Sequence, residues 1–303
     1  MVFPKKTKIL CFFISIFIVL NPIAVSFAGE RDKTTEKASS ETTISERQGL
    51  ANRFRLEFSN MSKEKKALAL NLAFSAGILT YGAVFWNYSI SNRPHAHPEG
   101  WLESDSRHGG VDKLGHLYTG YIMSDMFSYT YDKWGFSRRR SSILAFLSSV
   151  TFTTVMEIGD AFSAYGLSYE DIVSNIIGAS ASYFLHEYPE LSEKIDLRVE
   201  YRPSNKLDIS TDYAHMKFLL ALKAEGFEAV TNPLLKYLEF HIGYFAEGFE
   251  EDKAYRKRTI YMGLGVNLSR VFRKKSRVLS TIFTYYQMPY TYLPLEKSFK
   301  SQH

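Results

Sequence analysis

Cysteine is nearly absent from this chain. Its single cysteine among 303 residues, Cys11, sits inside an apolar run that follows Lys5, Lys6 and Lys8. Once that N-terminal segment is removed, a disulfide framework and a cysteine-based zinc site are excluded. Small residues do not precede the cysteine in Lys8-Ile9-Leu10-Cys11, so it makes a poor lipobox and lipid anchoring is the less expected alternative. Excess charge of one sign is equally scarce. The net charge is +5, and the three lysines of the signal take it to +2 on removal. With no RNA- or DNA-binding motif, nucleic acid is excluded as the expected partner. The chain has no HExxH motif. It also lacks the even, closed set of longer strands that an outer-membrane barrel needs, since eight do not fit.

Four regions are distinguishable. Residues 1–28 carry a positive n-region, an apolar stretch over 9–19 too short for a comfortable span, Pro22, and a small-x-small site at Ser26-Phe27-Ala28. These are the marks of an export signal, with an uncleaved anchor as the alternative. Residues 29–62 form a polar spacer, expected to be loosely ordered. Residues 63–190 are expected to form a helical bundle and residues 191–303 an antiparallel sheet region. Within the bundle, residues 67–88 carry no charge over about 22 positions, which is enough to cross a bilayer. Trp86 and Tyr88 suit an interfacial belt, and a buried core helix is the plainer alternative. Residues 89–111 are loop-like, with Pro94, Pro98, Gly100, Gly109 and Gly110. His95, His97 and His108 in this loop are either metal ligands or simply solvated. Ser137-Arg138-Arg139-Arg140 is expected to be a basic turn between helices.

Beyond residue 195 the apolar period changes to two. Ile195, Leu197, Val199 and Tyr201 alternate with polar residues. So do Leu207, Ile209 and Thr211, then Leu238, Phe240, Ile242 and Tyr244, then the even positions from Ile260 to Leu268. This is the mark of half-buried antiparallel strands. Four or five strands make a curved sheet or an incomplete barrel. Asn232-Pro233 and residues 250–253 are expected to be turns. Residues 278–287 fit a strand or a short helix. The fold class expected is α+β: a four-helix, partly membrane-embedded bundle followed by a small antiparallel sheet.

The polar residues of the bundle carry the functional question. Asp112 and His116 are four apart on one helix and share a face, and His116 and Thr119 lie near each other. Lys113 lies about 100° round from Asp112 and faces an acid on another helix. Glu157 and Asp160 are three apart on the next helix. Asp171 and Asn175 are four apart on the last, on one stripe with Gly178, where Ser168 offers an N-cap. Gly178, Ala179, Ser180 and Ala181 permit close helix packing. Charged groups in such apolar surroundings turn inward. Three chemistries fit. His116, Glu157, Asp160 and Asp171, with Asp112, form a mixed carboxylate and imidazole shell for a divalent metal. His116, oriented by Asp112 and faced by a carboxylic acid, is a general base for a lipid or glycan linkage. Or the residues form a structural network that fixes helix register.

These same residues carry a resemblance. The Asp-Lys-x-x-His helix, the Glu-x-x-Asp pair and the Ser168-x-x-Asp171-x-x-x-Asn175-x-x-Gly178 helix resemble the YfiM-like family of predicted periplasmic lipoproteins of unknown function. The segments 238–244 and 288–296 are similar to the longer members of that family. VanZ-like membrane proteins share a more distant likeness. The resemblance implies export and the cell envelope, and it supplies no catalytic residues. The expected function is that of a non-enzymatic envelope component on the periplasmic side, associated with a membrane and binding lipid or a partner protein. The alternative is a hydrolase acting at the membrane surface, or a metal-dependent enzyme. No cofactor is expected beyond the divalent metal that the second of these would need.

Overall fold

The computed structural model describes residues 53, 56–103, 105–206, 208–249 and 255–300. The export signal, most of the polar spacer, Leu207 and the turn at 250–253 lie outside the described residues. The chain divides into two compact units, Met1–Ala73 and Phe74–His303. The division falls within helix α1 (Lys63–Phe85), which starts after Ser62, whose Oγ accepts the Lys65 N–H at 3.4 Å. Gly82 is the one buried residue of α1. The core-helix alternative for residues 67–88 therefore fails. Among the described residues, α1 is one of two helices long and apolar enough to cross a membrane.

In the second unit, α2 (Val111–Lys133), α3 (Arg138–Ala161) and α4 (Tyr169–Glu187) pack together. Helix α3 is the second candidate span, and half of its most apolar window is buried. Arg138, Arg139 and Arg140 form the first turn of α3 rather than a turn before it. The core of this bundle holds Tyr121, Met126, Phe127, Tyr131, Phe152 and Met156. Its seams are made of small polar residues, including buried Ser124, Ser128, Ser148, Ser149 and Ser174. Such residues let backbones approach closely. The closest approach joins α2 to α4. A Cβ at Gly178 would stand 1.8 Å from the Leu117 carbonyl oxygen, and one at Gly120 would stand 2.2 Å from that of Asn175.

A short helix, α5 (Pro189–Lys194), leads into a five-stranded antiparallel meander. Its strands are β1 (Ile195–Tyr201), β2 (Met216–Lys223), β3 (Leu238–Glu247), β4 (Lys257–Val266) and β5 (Tyr292–Lys300). Two helices, α6 (Leu268–Phe272) and α7 (Arg277–Tyr285), separate β4 from β5, so the 278–287 region is largely helix. The sheet curls back on itself. The Gln287 N–H donates to the Val199 carbonyl of β1 at 2.9 Å, and Tyr292 of β5 donates to Glu200 of β1 at 2.7 Å. The outer side of β1 and β2 packs on α2 through Val199, Tyr201, Met216 and Phe218 against Val111, Leu114 and Tyr118.

The strand expected around Ile209 and Thr211 does not form. Asp208 accepts the Ser210 N–H at 3.0 Å and the Thr211 hydroxyl at 2.9 Å, and also takes the Tyr81 hydroxyl and the Trp86 indole N–H. Such local bonds offer the backbone an alternative to a ladder. The second strand lies further on, at β2.

The α2–α4 contact yields a test. Gly178→Ala forces a methyl into the Leu117 carbonyl and is expected to lower stability by about 3 kcal/mol. Gly77→Ala, where a Cβ meets nothing within 4 Å, is expected to be neutral or slightly stabilising. Thermal unfolding followed by circular dichroism measures both.

Candidate functional site

Lys113 is the centre of the polar interior. It lies in the first turn of α2, just after Gly110, whose φ of 81° places the chain in the left-handed region. Its ammonium reaches Glu99 Oε2 at 2.6 Å, Asp171 Oδ1 at 2.7 Å and Asp112 Oδ2 at 2.9 Å. Lys113 is 3% exposed. A cation in such surroundings is stable only with paired anions, and here it has three. Asp112 comes from its own helix, Asp171 from the first turn of α4, and Glu99 from the loop before α2. Ser168 caps α4 by accepting the Asp171 N–H at 3.3 Å. Glu170 ties the loop to the same helix end, accepting the Gly100 N–H at 3.1 Å.

One turn along α2, His116 joins the same network. Its Nδ1 lies 3.2 Å from Glu157 Oε1 on α3, and its Nε2 lies 3.7 Å from the Asp171 oxygen that Lys113 holds. Asn175 Nδ2 lies 3.3 Å from both His116 Nδ1 and Glu157 Oε1. Glu99, Lys113, Asp171, His116 and Glu157 thus form one chain of contacts across the loop and three helices.

The acids bring a proton to His116. Burial favours its neutral form, but the hydrogen bond it donates to Glu157 and the charge of Asp171 outweigh burial and lift it to about 9. Lys113 is held above its ordinary value: burial opposes the charge, and Asp112 and Asp171 overcome that. Burial raises Glu99 to about 7 in spite of Lys113. For Asp112, burial pushes upward, yet the Lys113 ammonium holds the carboxyl below its ordinary range.

Six of the seven residues singled out from sequence meet in this network: Asp112, Lys113, His116, Glu157, Asp171 and Asn175. Two expected pairings are different. Asp112 does not orient His116, because its carboxylate turns to the Lys113 ammonium beside it, and Glu157 holds the imidazole instead. Asp160 points to Tyr88, whose hydroxyl lies 2.9 Å from its Oδ1, and it stands outside the donor groups that could hold a metal. The Thr119 hydroxyl donates back to the Gly115 carbonyl at 2.9 Å. Among the described residues two donor groups converge within 4.8 Å: His116, Glu157 and Asp171; and Glu99, Asp112 and Asp171. Lys113 already occupies the second. His95, His97 and His108 belong to neither. His95 and His97 instead pair their backbones with Leu167, fastening the loop to the α3–α4 connection.

The match to known proteins coincides with this site. Residues 98–187 match the model of a family described as predicted periplasmic lipoprotein (DUF2279). The matched stretch holds Glu99 and every residue of the network on α2, α3 and α4. This part of the chain is thus similar to an exported, uncharacterised envelope family. No curated protein and no solved structure matches the chain.

Sequence reading missed Glu99, which sits on a loop with no periodicity; its place between Pro98 and Gly100 was the one local sign. It also missed a second buried ionic cluster, inside the curled sheet. There Arg198 donates to Asp196 at 2.7 Å, to Glu239 at 2.7 and 2.9 Å, and to Gln287 at 2.9 Å. Lys223 holds Asp196 at 2.6 Å and Glu239 meets His241 at 2.9 Å.

The titrations set a pH dependence. His116 has its proton-linked stabilisation in full below its unfolded value of 6.5 and loses it as pH rises through about 9. Glu99 works in the same direction, opposing the fold increasingly as it ionises between 4.5 and about 7. Stability is therefore expected to fall by about 3–4 kcal/mol between about pH 6 and pH 9.5, most of it from His116. Urea unfolding across that window measures it, and His116→Gln should flatten the alkaline half.

Proposed function

We propose that this chain is an exported, membrane-associated envelope protein of non-enzymatic role. Its helical bundle acts as a rigid scaffold that presents the chain to lipid or to a partner protein. The observation that carries this reading is the closure of the network. Lys113, Asp112, Glu157, Asp171 and Asn175 are each at most 5% exposed, and only the edges of His116 and Glu99 meet solvent. A substrate needs an approach that such packing denies, whereas a register-fixing network needs only satisfied partners. The exposed apolar length of α1, the family description and the likeness to YfiM-like proteins support the envelope and membrane part of the reading.

The conservative variant His116→Gln separates scaffold from enzyme. Expressed in a strain lacking the native gene, it is expected to restore the envelope phenotype in proportion to how much folded protein accumulates. Loss of the phenotype with unchanged thermal stability would overturn the scaffold reading.

One observation favours a second reading, a metal-dependent hydrolase at the membrane surface. Four carboxylates face two cations, and Asp112 Oδ1 and Asn175 Oδ1 are buried without a hydrogen-bond donor. A divalent ion on His116, Glu157 and Asp171 would balance that charge. On this reading Mn²⁺ or Zn²⁺ raises the unfolding temperature of the native chain and not of Glu157→Gln. Equal response of both chains, or none, removes it.

A further inference from the structure

The sheet has its polar side inward and its apolar side outward. Along β3 and β4 the inward positions include Glu239, His241 and Thr259, all buried. The outward positions include Phe240, Ile242, Ile260, Met262, Leu264 and Val266, all at least one-third exposed. Leu293 and Leu295 of β5 extend that face and are 76% and 74% exposed. A half-buried sheet in water shows the opposite arrangement. The inward volume is already filled by the Arg198 cluster and by Tyr261, stacked on Tyr292 at a centroid separation of 5.5 Å. Gly243 leaves room for the Tyr261 ring, since a Cβ there would stand 2.3 Å from it. The apolar side chains therefore have no interior to enter.

The outward face is one continuous surface. Register aligns Leu220, Ile242, Met262 and Leu295 in one row across four strands, and Leu222, Phe240, Leu264 and Leu293 in the next. On β1, β2 and the Tyr244–Ala246 end of β3 the same face packs on α2. From Phe240 and Ile242 of β3 across β4 to β5 it is exposed among the described residues. Arg258 and Lys297 stand at one end with exposed Tyr255, while Lys257 turns inward to Glu247 at 3.9 Å. Lys274, Lys275 and Arg277 follow β4 at the other end, where Tyr237 is exposed. Between Arg258 and Val266 an extended strand covers roughly 27 Å, close to the thickness of a bilayer's hydrocarbon core. An apolar band between aromatic girdles is the outer surface of a protein bathed in lipid, and lysine and arginine at its margins favour anionic headgroups.

We propose that the outward face of β3–β5 lies against the acyl chains of a bilayer containing anionic phospholipid. A second copy of the chain would cover the apolar rows equally well, but it gives no reason for basic and aromatic margins at both ends. The inference goes beyond the scaffold reading and does not depend on the Lys113 network, so either can fail alone. The test uses the full chain carrying Cys11→Ser, with nitroxide labels on Met262→Cys, Leu264→Cys or Leu295→Cys, in phosphatidylethanolamine–phosphatidylglycerol vesicles. Circular dichroism establishes that each labelled chain is folded. Collisions with oxygen are expected to exceed those with a water-soluble nickel chelate, with a severalfold rise in their ratio from a label at Tyr290→Cys to one at Met262→Cys. Free access of the nickel chelate at Met262 and Leu295 would overturn the proposal by showing a face in water. Exclusion of both reagents, with dipolar broadening between labels, would overturn it in favour of a second copy.

Discussion

One ammonium group organises the helical part of this protein. Lys113 faces inward from the first turn of α2 and is surrounded by carboxylates from its own helix, from α4 and from the preceding loop. A buried cation with three anions fixes geometry because any slip leaves a charge without a partner. The glycine contacts act on the same pair of helices. Gly120 and Gly178 bring the α2 and α4 backbones into contact, which is why Asn175 and Asp171 can reach across to His116. His116 then carries the arrangement to Glu157 on α3, so steric fit and charge pairing specify one packing of three helices.

Much of the helical architecture was legible in the sequence, because its signals are local. Charges at helical spacing within small-residue stretches revealed the inward-facing groups on α2, α3 and α4. Ser168 announced a helix start that the structure contains. The sheet was legible where apolar and polar residues alternate along a strand, as in β1, whose polar side is buried too, and in β3 and β4. It was hidden in β2, where Met216, Lys217, Phe218 and Leu219 are all buried and alternation disappears. Ile209 and Thr211 show the converse: the apolar spacing was right, but the side chain of Asp208 captured the backbone and neighbouring donors. Glu99 and the Arg198 cluster were invisible for another reason. Their partners lie far apart in the chain, and nothing in spacing records a contact between residues 198 and 239.

The two halves handle polarity alike. In the bundle, serines and a small ionic network occupy the seams between helices, while α1 and parts of α3 and α4 leave large apolar residues uncovered. In the sheet, charge is enclosed and hydrocarbon is turned out. Burial of polar groups in both places is compensated by partners rather than by water, as in Lys223 with Asp196 or Tyr131 with Ser148. This pattern is consistent with the envelope character of the family that the segment 98–187 matches.

The filling of the curled sheet limits what the domain can transmit. A recess of about 370 Å³ opens at one end, bordered by Glu200, Lys217, Lys257 and Glu296. Below it Tyr261, His241, Arg198 and Glu239 are each at most 1% exposed. Water and ions entering the recess meet a floor of packed rings and locked ion pairs. Although the sheet wraps around a hydrophilic centre, it is a plugged cup rather than a conduit, and solute permeation through it is ruled out by its own side chains.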